Sequence, residues 1–304
     1  MLERYMTYID NNTNENCQWS WFIMGKYTEK EFWRFAPSNY QYKHYSFDYF
    51  LKAQSSFGFQ NIELYLCPPH VWIDWRHDGK PKVLRRNIET YGLSVPSVRA
   101  EFESRLYMIA ASDPGCRNRT AAYLERCLNC ACELGAQTLL INASGVYFDE
   151  PYEVAFIRLA ESILILCEKA ALCNLKISLE SFCPHEAIIT NSLDELVKLS
   201  NAVNHPALAI TLDTVAISEA GETIPQWFHT FGEKIAYVRF SDGRKGGGRY
   251  IWGEGIYPLE RYLTQLEENN YCGYFGLHLS LENYIMEPMQ ADIRNRNAII
   301  RGLK

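Results

Sequence analysis

Several absences narrow the reading first. No apolar run approaches the ~18–20 residues that a membrane-spanning helix needs, so no membrane partner is expected. The opening stretch, MLERYMTYIDNNTNEN, has no apolar secretion core, and the chain is expected in the cytoplasm. No basic block occurs, and 30 Lys+Arg against 36 Asp+Glu leave a net charge of −6. Nucleic acid is therefore not expected as a partner. No G-x-G-x-x-G follows the first predicted strand, and no G-x-x-x-x-G-K-[ST] or G-x-S-x-G occurs, which lowers the case for dinucleotide, nucleoside-triphosphate or serine-hydrolase chemistry.

What is present is ample core material, with 47% hydrophobic and 14% aromatic residues in 304. That excludes disorder and low complexity. The 10 cysteines read as reduced thiols that pack as small hydrophobes. Cys127, Cys130 and Cys132 form C-x-x-C-x-C inside a helical pattern, with no second ligand pair for a structural zinc site.

Short apolar runs alternate with amphipathic ones. The pattern predicts strands at Trp21–Met24, Asn61–Leu66, Ser94–Val98, Thr138–Ile141, Lys176–Glu180, Leu208–Asp213, Ile235–Phe240 and Tyr274–His278. It predicts helices at Phe47–Phe57, Lys82–Tyr91, Arg117–Leu134, Glu153–Leu172, Leu193–Val203, Thr223–Phe231, Pro258–Asn269 and about Met289–Leu303. Eight strands, several of them nearly all apolar, with helices between them predict a closed (β/α)8 TIM barrel, one α/β domain over residues 1–304. A doubly wound open sheet is the alternative. Residues 1–18 read as an N-terminal extension, and Tyr27–Lys43 as an addition to the plain barrel.

Barrel chemistry sits at the C-terminal strand ends. There the second strand delivers His70, the fifth ends on Glu180, the sixth on Asp213, the seventh offers Arg239 and Asp242, and the eighth ends on His278. Ionisable residues closing strand after strand point to a polar mouth.

These stretches carry a resemblance. LESFCPHE, ITLDTVA, YVRFSDGRKGGG with YIWGEGIYPLERYL, and GYFGLHLSLENYIMEP resemble the sugar isomerase/epimerase family with the xylose-isomerase-like barrel. The similarity is greatest to ketose 3-epimerases, including the fructoselysine 3-epimerase branch, over roughly Ala121–Pro288. In that family the fifth, sixth, seventh and eighth strands end in Glu, Asp, His and Glu, which together hold one divalent ion. The resemblance implies Glu180 and Asp213 as metal ligands, Glu186 as a carboxylate that contacts substrate hydroxyls, and His70 as a pocket residue. Ala216 stands where many members carry histidine. Arg239 replaces the histidine ligand, and His278 replaces the last glutamate.

The implied reaction removes a proton beside a carbonyl on one face and returns it on the other, through an enediolate. Glu180 and His278 are the candidate acid–base pair, and Arg239 the candidate electrostatic partner. A guanidinium offers no lone pair. It would repel a +2 ion by about 8 kcal/mol at ~4 Å and an effective dielectric of ~20. The implied Mn²⁺, Mg²⁺ or Zn²⁺, on Glu180, Asp213 and His278, is therefore expected to be weakly held or absent, with Arg239 paired to Glu180 or Asp213 instead. Three readings stay open: an active enzyme with an altered metal site, one in which Arg239 replaces the metal, and a lapsed member that binds a sugar or regulates. Glu282, an even number of residues past His278, either reaches the mouth or is a loop charge.

The expected ligand is a small-molecule carbohydrate. Trp19, Trp21, Trp72, Trp75 and Trp252 offer flat apolar faces, with Trp72 nearest the second strand end. Arg244, Lys245 and Arg249, around the glycines at 246–248, suit a lid that meets an anionic group. Aromatics over Tyr40–Tyr49 suggest a partner surface, such as a second copy of the chain. An abasic-site endonuclease on a related barrel would need more than 7 histidines and a basic face.

Overall fold

The apolar runs line up side by side as one parallel sheet, because strands covered by helices on their outer face must be apolar nearly throughout. The structure, a computed structural model, describes residues 29–102, 106–142 and 146–303. The barrel strands are β1 (Phe35–Pro37), β2 (Asn61–Leu66), β3 (Ser94–Ala100), β4 (Thr138–Ile141), β5 (Lys176–Glu180), β6 (Leu208–Asp213), β7 (Ile235–Arg239) and β10 (Tyr274–Leu277). Their order is β1-β10-β7-β6-β5-β4-β3-β2. A parallel bridge between Ser38 and Glu63 brings the β1 end of the sheet back to β2. The result is the single-domain TIM barrel that the alternation predicts, nearly closed.

The predicted first strand, Trp21–Met24, and the extension 1–18 lie outside the described residues. The first place in the barrel belongs to Phe35–Pro37, inside the segment read as an addition. Three residues ending in proline give too short a run for a periodicity signal. Register with β10 nevertheless sets Phe35 beside Phe275, and their rings stack with centroids 4.8 Å apart.

Helices α1 (Phe47–Ser56), α2 (Pro81–Thr90), α3 (Pro114–Glu133), α4 (Tyr152–Ala171), α5 (Leu193–Val203), α7 (Ile224–Phe231), α8 (Leu259–Glu268) and α10 (Pro288–Gly302) cover the outside. Two short helices, α6 (Thr214–Glu219) and α9 (Glu282–Met286), sit beyond β6 and β10. Local chemistry starts and stops them. Ser46, Asp113, Ser192 and Thr223 cap first turns through their side chains, and Thr223 completes a capping box with Gln226. Gly135, at φ 71°, follows α3 in the left-handed conformation expected of it.

One cysteine expectation is corrected. Cys132 and Cys173 form a disulfide between the segments that end α3 and α4, with Cα atoms 6.4 Å apart. The remaining described cysteines are free thiols. No described helix is long and apolar enough to cross a membrane.

Candidate active site

The C-terminal ends of β5, β6, β7 and β10 gather the polar residues. Hydrogen bonds between strand ends pin this rim. Thr214 Oγ1 donates to the Ser241 carbonyl at 2.7 Å, and Ser241 Oγ donates to the His278 carbonyl at 2.8 Å. Phe240 N donates to the Gly276 carbonyl at 2.8 Å.

Glu180, Asp213, Arg239 and His278 are all buried there. Arg239 Nη1 forms a close ion pair with Glu180 Oε1. On the other carboxylate oxygen, Arg99 Nε of β3 stands at 3.4 Å. Below Arg239, Glu63 of β2 brings Oε1 to 3.7 Å of Nη2. Arg99, Glu180, Arg239 and Glu63 thus alternate in sign across the barrel interior.

Asp213 is engaged on both oxygens. Oδ1 accepts from the Val215 and Ala216 amides at 2.8 and 3.1 Å, capping α6. Oδ2 accepts from Arg249 Nε and Nη2 at 3.0 and 2.6 Å. Arg249 arrives on a hairpin, β8 (Asp242–Arg244) and β9 (Gly247–Tyr250), turned by Gly246, Gly247 and Gly248, all at positive φ. Asp242 anchors that hairpin, accepting the Gly243, Gly253, Gly255 and Tyr257 amides at 2.7–2.9 Å.

The electrostatics follow from this crowding. Burial by itself would raise the Glu180 pKa, but Arg239, Arg99 and Arg249 outweigh it and hold the carboxyl at about 2. Burial pushes His278 well below the usual imidazole range, and the same three guanidinium groups push it further. His278 is therefore neutral at physiological pH, and its Nδ1 is buried with no hydrogen-bond partner. Arg239 Nε and Nη2 are likewise without one.

Other expected residues fall around this centre. Glu186 is half-buried, accepts the Cys183 amide at 3.0 Å, and adds to the negative field on Arg249. His70 is committed on both nitrogens: Nδ1 pairs with Asn39 Nδ2 at 3.0 Å and Nε2 with the Tyr45 carbonyl at 2.8 Å. That arrangement ties the loop after β2 to the segment after β1. Trp72 is 62% exposed on the rim, away from the buried centre, and Trp252 is buried against Phe240. Trp19 and Trp21 lie outside the described residues. Glu282 is exposed in α9 and does not enter the mouth.

Reading by strand ends misses Glu63 and Arg99, because both lie before the ends of their strands. A charge inside an apolar run, as in NIELYL and SVPSVRA, is the signal that finds them. Arg249 is expected on a lid and instead reaches inward to Asp213.

The donor set does not fit a divalent ion. Glu180 already pairs with Arg99 and Arg239, Asp213 with Arg249, and Arg239 has no lone pair to offer. Among the described residues, no group of three or more His, Cys, Asp or Glu side chains is arranged to hold one.

Beside the centre lies a cleft of about 320 Å³, lined by Tyr40, Lys43, Tyr65, Cys67, His70, Glu101 and Leu106 among others. The Tyr40 ring lies against the His278 ring, with centroids 4.3 Å apart.

Comparison with known proteins agrees with this architecture. The chain is 25% identical over 236 residues to fructoselysine 3-epimerase of Escherichia coli O157:H7, covering 77% of this chain and 85% of that protein. In structure it resembles L-ribulose 3-epimerase, with a TM-score of 0.72 and 17% identity, over 89% of this chain and 94% of that one. It also resembles the IOLI protein with a bound zinc atom, with a TM-score of 0.72 and 15% identity, over 89% of this chain and 99% of that one. The family model described as xylose isomerase-like TIM barrel matches residues 51–298, and the chain belongs to that family.

Proposed function

We propose that this protein is a sugar or sugar-derivative isomerase or epimerase that moves a proton beside a carbonyl, with Arg239 standing where relatives carry a metal ligand. The observation that carries this reading is the buried Arg239–Glu180 ion pair at the ends of β7 and β5, beside an unpartnered His278 nitrogen. A fixed guanidinium in a dry pocket stabilises a developing oxyanion without reorganising.

In this scheme a base takes the proton from the carbon beside the carbonyl. The C–H electron pair becomes the C=C bond of an enediolate, and the carbonyl oxygen takes the negative charge against Arg239 Nη2 or Nε. Glu180 and His278 are the two groups that handle the proton. For isomerisation Glu180 returns that proton on the same face at the neighbouring carbon; for epimerisation His278, neutral at rest, takes up a proton from solvent beside the enediolate and delivers it on the opposite face, while the proton on Glu180 passes to solvent. A carboxyl held at about 2 is a weak base, so Glu180 gains basicity when Arg239 turns from it toward the substrate oxygen. Substrate binding and base activation are thereby linked through one side chain. No step is assigned to a divalent ion.

The pairing of both carboxylates with arginines also favours a second reading, a lapsed enzyme that binds a carbohydrate without turning it over. One experiment separates the two. A panel of free, phosphorylated and amine-linked ketoses is incubated with the protein in D₂O and followed by proton NMR. Loss of a substrate C–H signal, abolished in Glu180→Gln, supports the enzyme. Saturable binding without exchange on any ketose establishes the second reading.

A further inference from the structure

Arg239 keeps one carboxylate and faces another. Nη1 is paired with Glu180, while Nη2 stands 3.7 Å from Glu63 Oε1, within ion-pair range but beyond hydrogen-bond length. Both Glu63 oxygens are buried without a hydrogen-bond partner, and so are Arg239 Nε and Nη2. Both side chains are closed off from solvent. Charged groups buried short of hydrogen bonds are costly, so two free donors facing two free acceptors across this gap form a contact held in reserve.

The surroundings keep that contact open. Glu63 stands at the seam of the barrel, where its backbone bridges Ser38. Gly276 of β10, in register with Arg239, gives the carboxylate room. A Cβ there would lie 2.6 Å from Glu63 Oε2 and 2.7 Å from the Tyr237 hydroxyl oxygen. The Arg239 backbone is fixed by pairing with β6 and β10 and by Thr214 Oγ1, which donates to its carbonyl at 3.2 Å. Only the side chain is left to shift. Asp213 cannot receive it, because Arg249 and the α6 amides engage both its oxygens.

The proposed reaction needs Arg239 to leave Glu180. A guanidinium that left one buried carboxylate for no other would be stranded. Closing the 3.7 Å gap to a charge-assisted bond takes a shift of only about 0.9 Å.

We infer that Glu63 is a positioning residue, the second seat of Arg239: it holds Nη2 while Glu180 exchanges protons with the substrate and Nε meets the substrate oxygen. This deepens the proposed function and rests on it for the reaction, but not for the seat itself.

Two measurements test it, one of them independent of turnover. A crystal structure of Glu180→Gln, which removes the charge of the first seat, should show Arg239 Nη2 within about 2.9 Å of Glu63 Oε1. If that protein does not fold with Arg99 and Arg239 facing an amide, Glu180→Gln/Arg99→Gln keeps the net charge of the parent and gives the same measurement. Nη2 still more than about 3.5 Å from Glu63, or turned away from it, overturns the seat. In the D₂O exchange assay, Glu63→Gln should lower kcat about tenfold or more with KM within about twofold, because Glu63 acts on Arg239 and touches no substrate. A Glu63→Gln protein with the parent's kcat, or one whose loss lies in KM, overturns the positioning role. A parent without exchange on any ketose overturns the proton-transfer reading, and the Glu180→Gln structure then decides the seat by itself.

Discussion

At the scale of single residues, the site is governed by which partner each charge keeps. Glu180 has two guanidinium neighbours, and burial without them would leave a neutral acid rather than an anion. If it exchanges protons with the substrate, Glu180→Gln should lower C–H exchange by ~10²–10⁴-fold, because the amide keeps the shape but cannot accept the proton. Retention of more than ~10% of the rate would remove Glu180 from the mechanism. Arg239→Lys should also lower the rate, since an ammonium keeps the charge but cannot face Glu180, Glu63 and a substrate oxygen through one planar fork. An Arg239→Lys protein as fast as the parent would show that charge alone suffices.

At the scale of elements, the hairpin β8–β9 delivers Arg249, and Asp242 holds it by four backbone amides. Gly255 must be glycine for this to close. A Cβ there would lie 2.2 Å from Asp242 Oδ1 and 2.4 Å from the Gly243 carbonyl. Gly255→Ala should cost about 2 kcal/mol or more in denaturant unfolding, and it should loosen Arg249 from Asp213. An alanine protein of unchanged stability would show that the loop has another way to close. Elements of this kind differ in how legible they are from sequence. Seven of the eight barrel strands follow from short apolar runs between helical stretches, and so do the ionisable residues that end β5, β6 and β7. β1 does not, because three residues ending in Pro37 carry no alternation and depend on pairing with β10. Nor does the Glu63–Arg239 contact, because it joins β2 to β7 across the barrel and no spacing along the chain encodes it.

At the scale of the whole molecule, the buried charges set how stability responds to pH. Glu180 is depressed from 4.5 to about 2, so its stabilising share is present above 4.5 and is lost as the pH falls toward 2. His278 is depressed below 6.5, so its share is present above 6.5 and is lost on acidification from there. Asp292 has the opposite sign. Burial raises it from 3.8 to about 6, and its share is present below 3.8 and lost as the pH rises through 6. Asp292→Asn removes that opposing share, on the order of 3 kcal/mol. The fall in Tm between pH 6 and pH 4 should then be steeper in the variant than in the parent, and a shallower fall would reverse the assignment. The same alternation of charge decides what the barrel mouth can hold. The resemblance drawn from the sequence implies an ion among the strand-end residues, whereas this chain places Arg99, Arg239 and Arg249 around Glu180 and Asp213. The most direct measurement is a calorimetric titration of the chelator-treated protein with Mn²⁺, alongside the Arg239→His/His278→Glu double variant. The parent should show no saturable binding and the double variant should bind one ion. Stoichiometric, tight Mn²⁺ binding by the parent, lost in Asp213→Asn, would contradict the claim that a guanidinium has taken the metal's place.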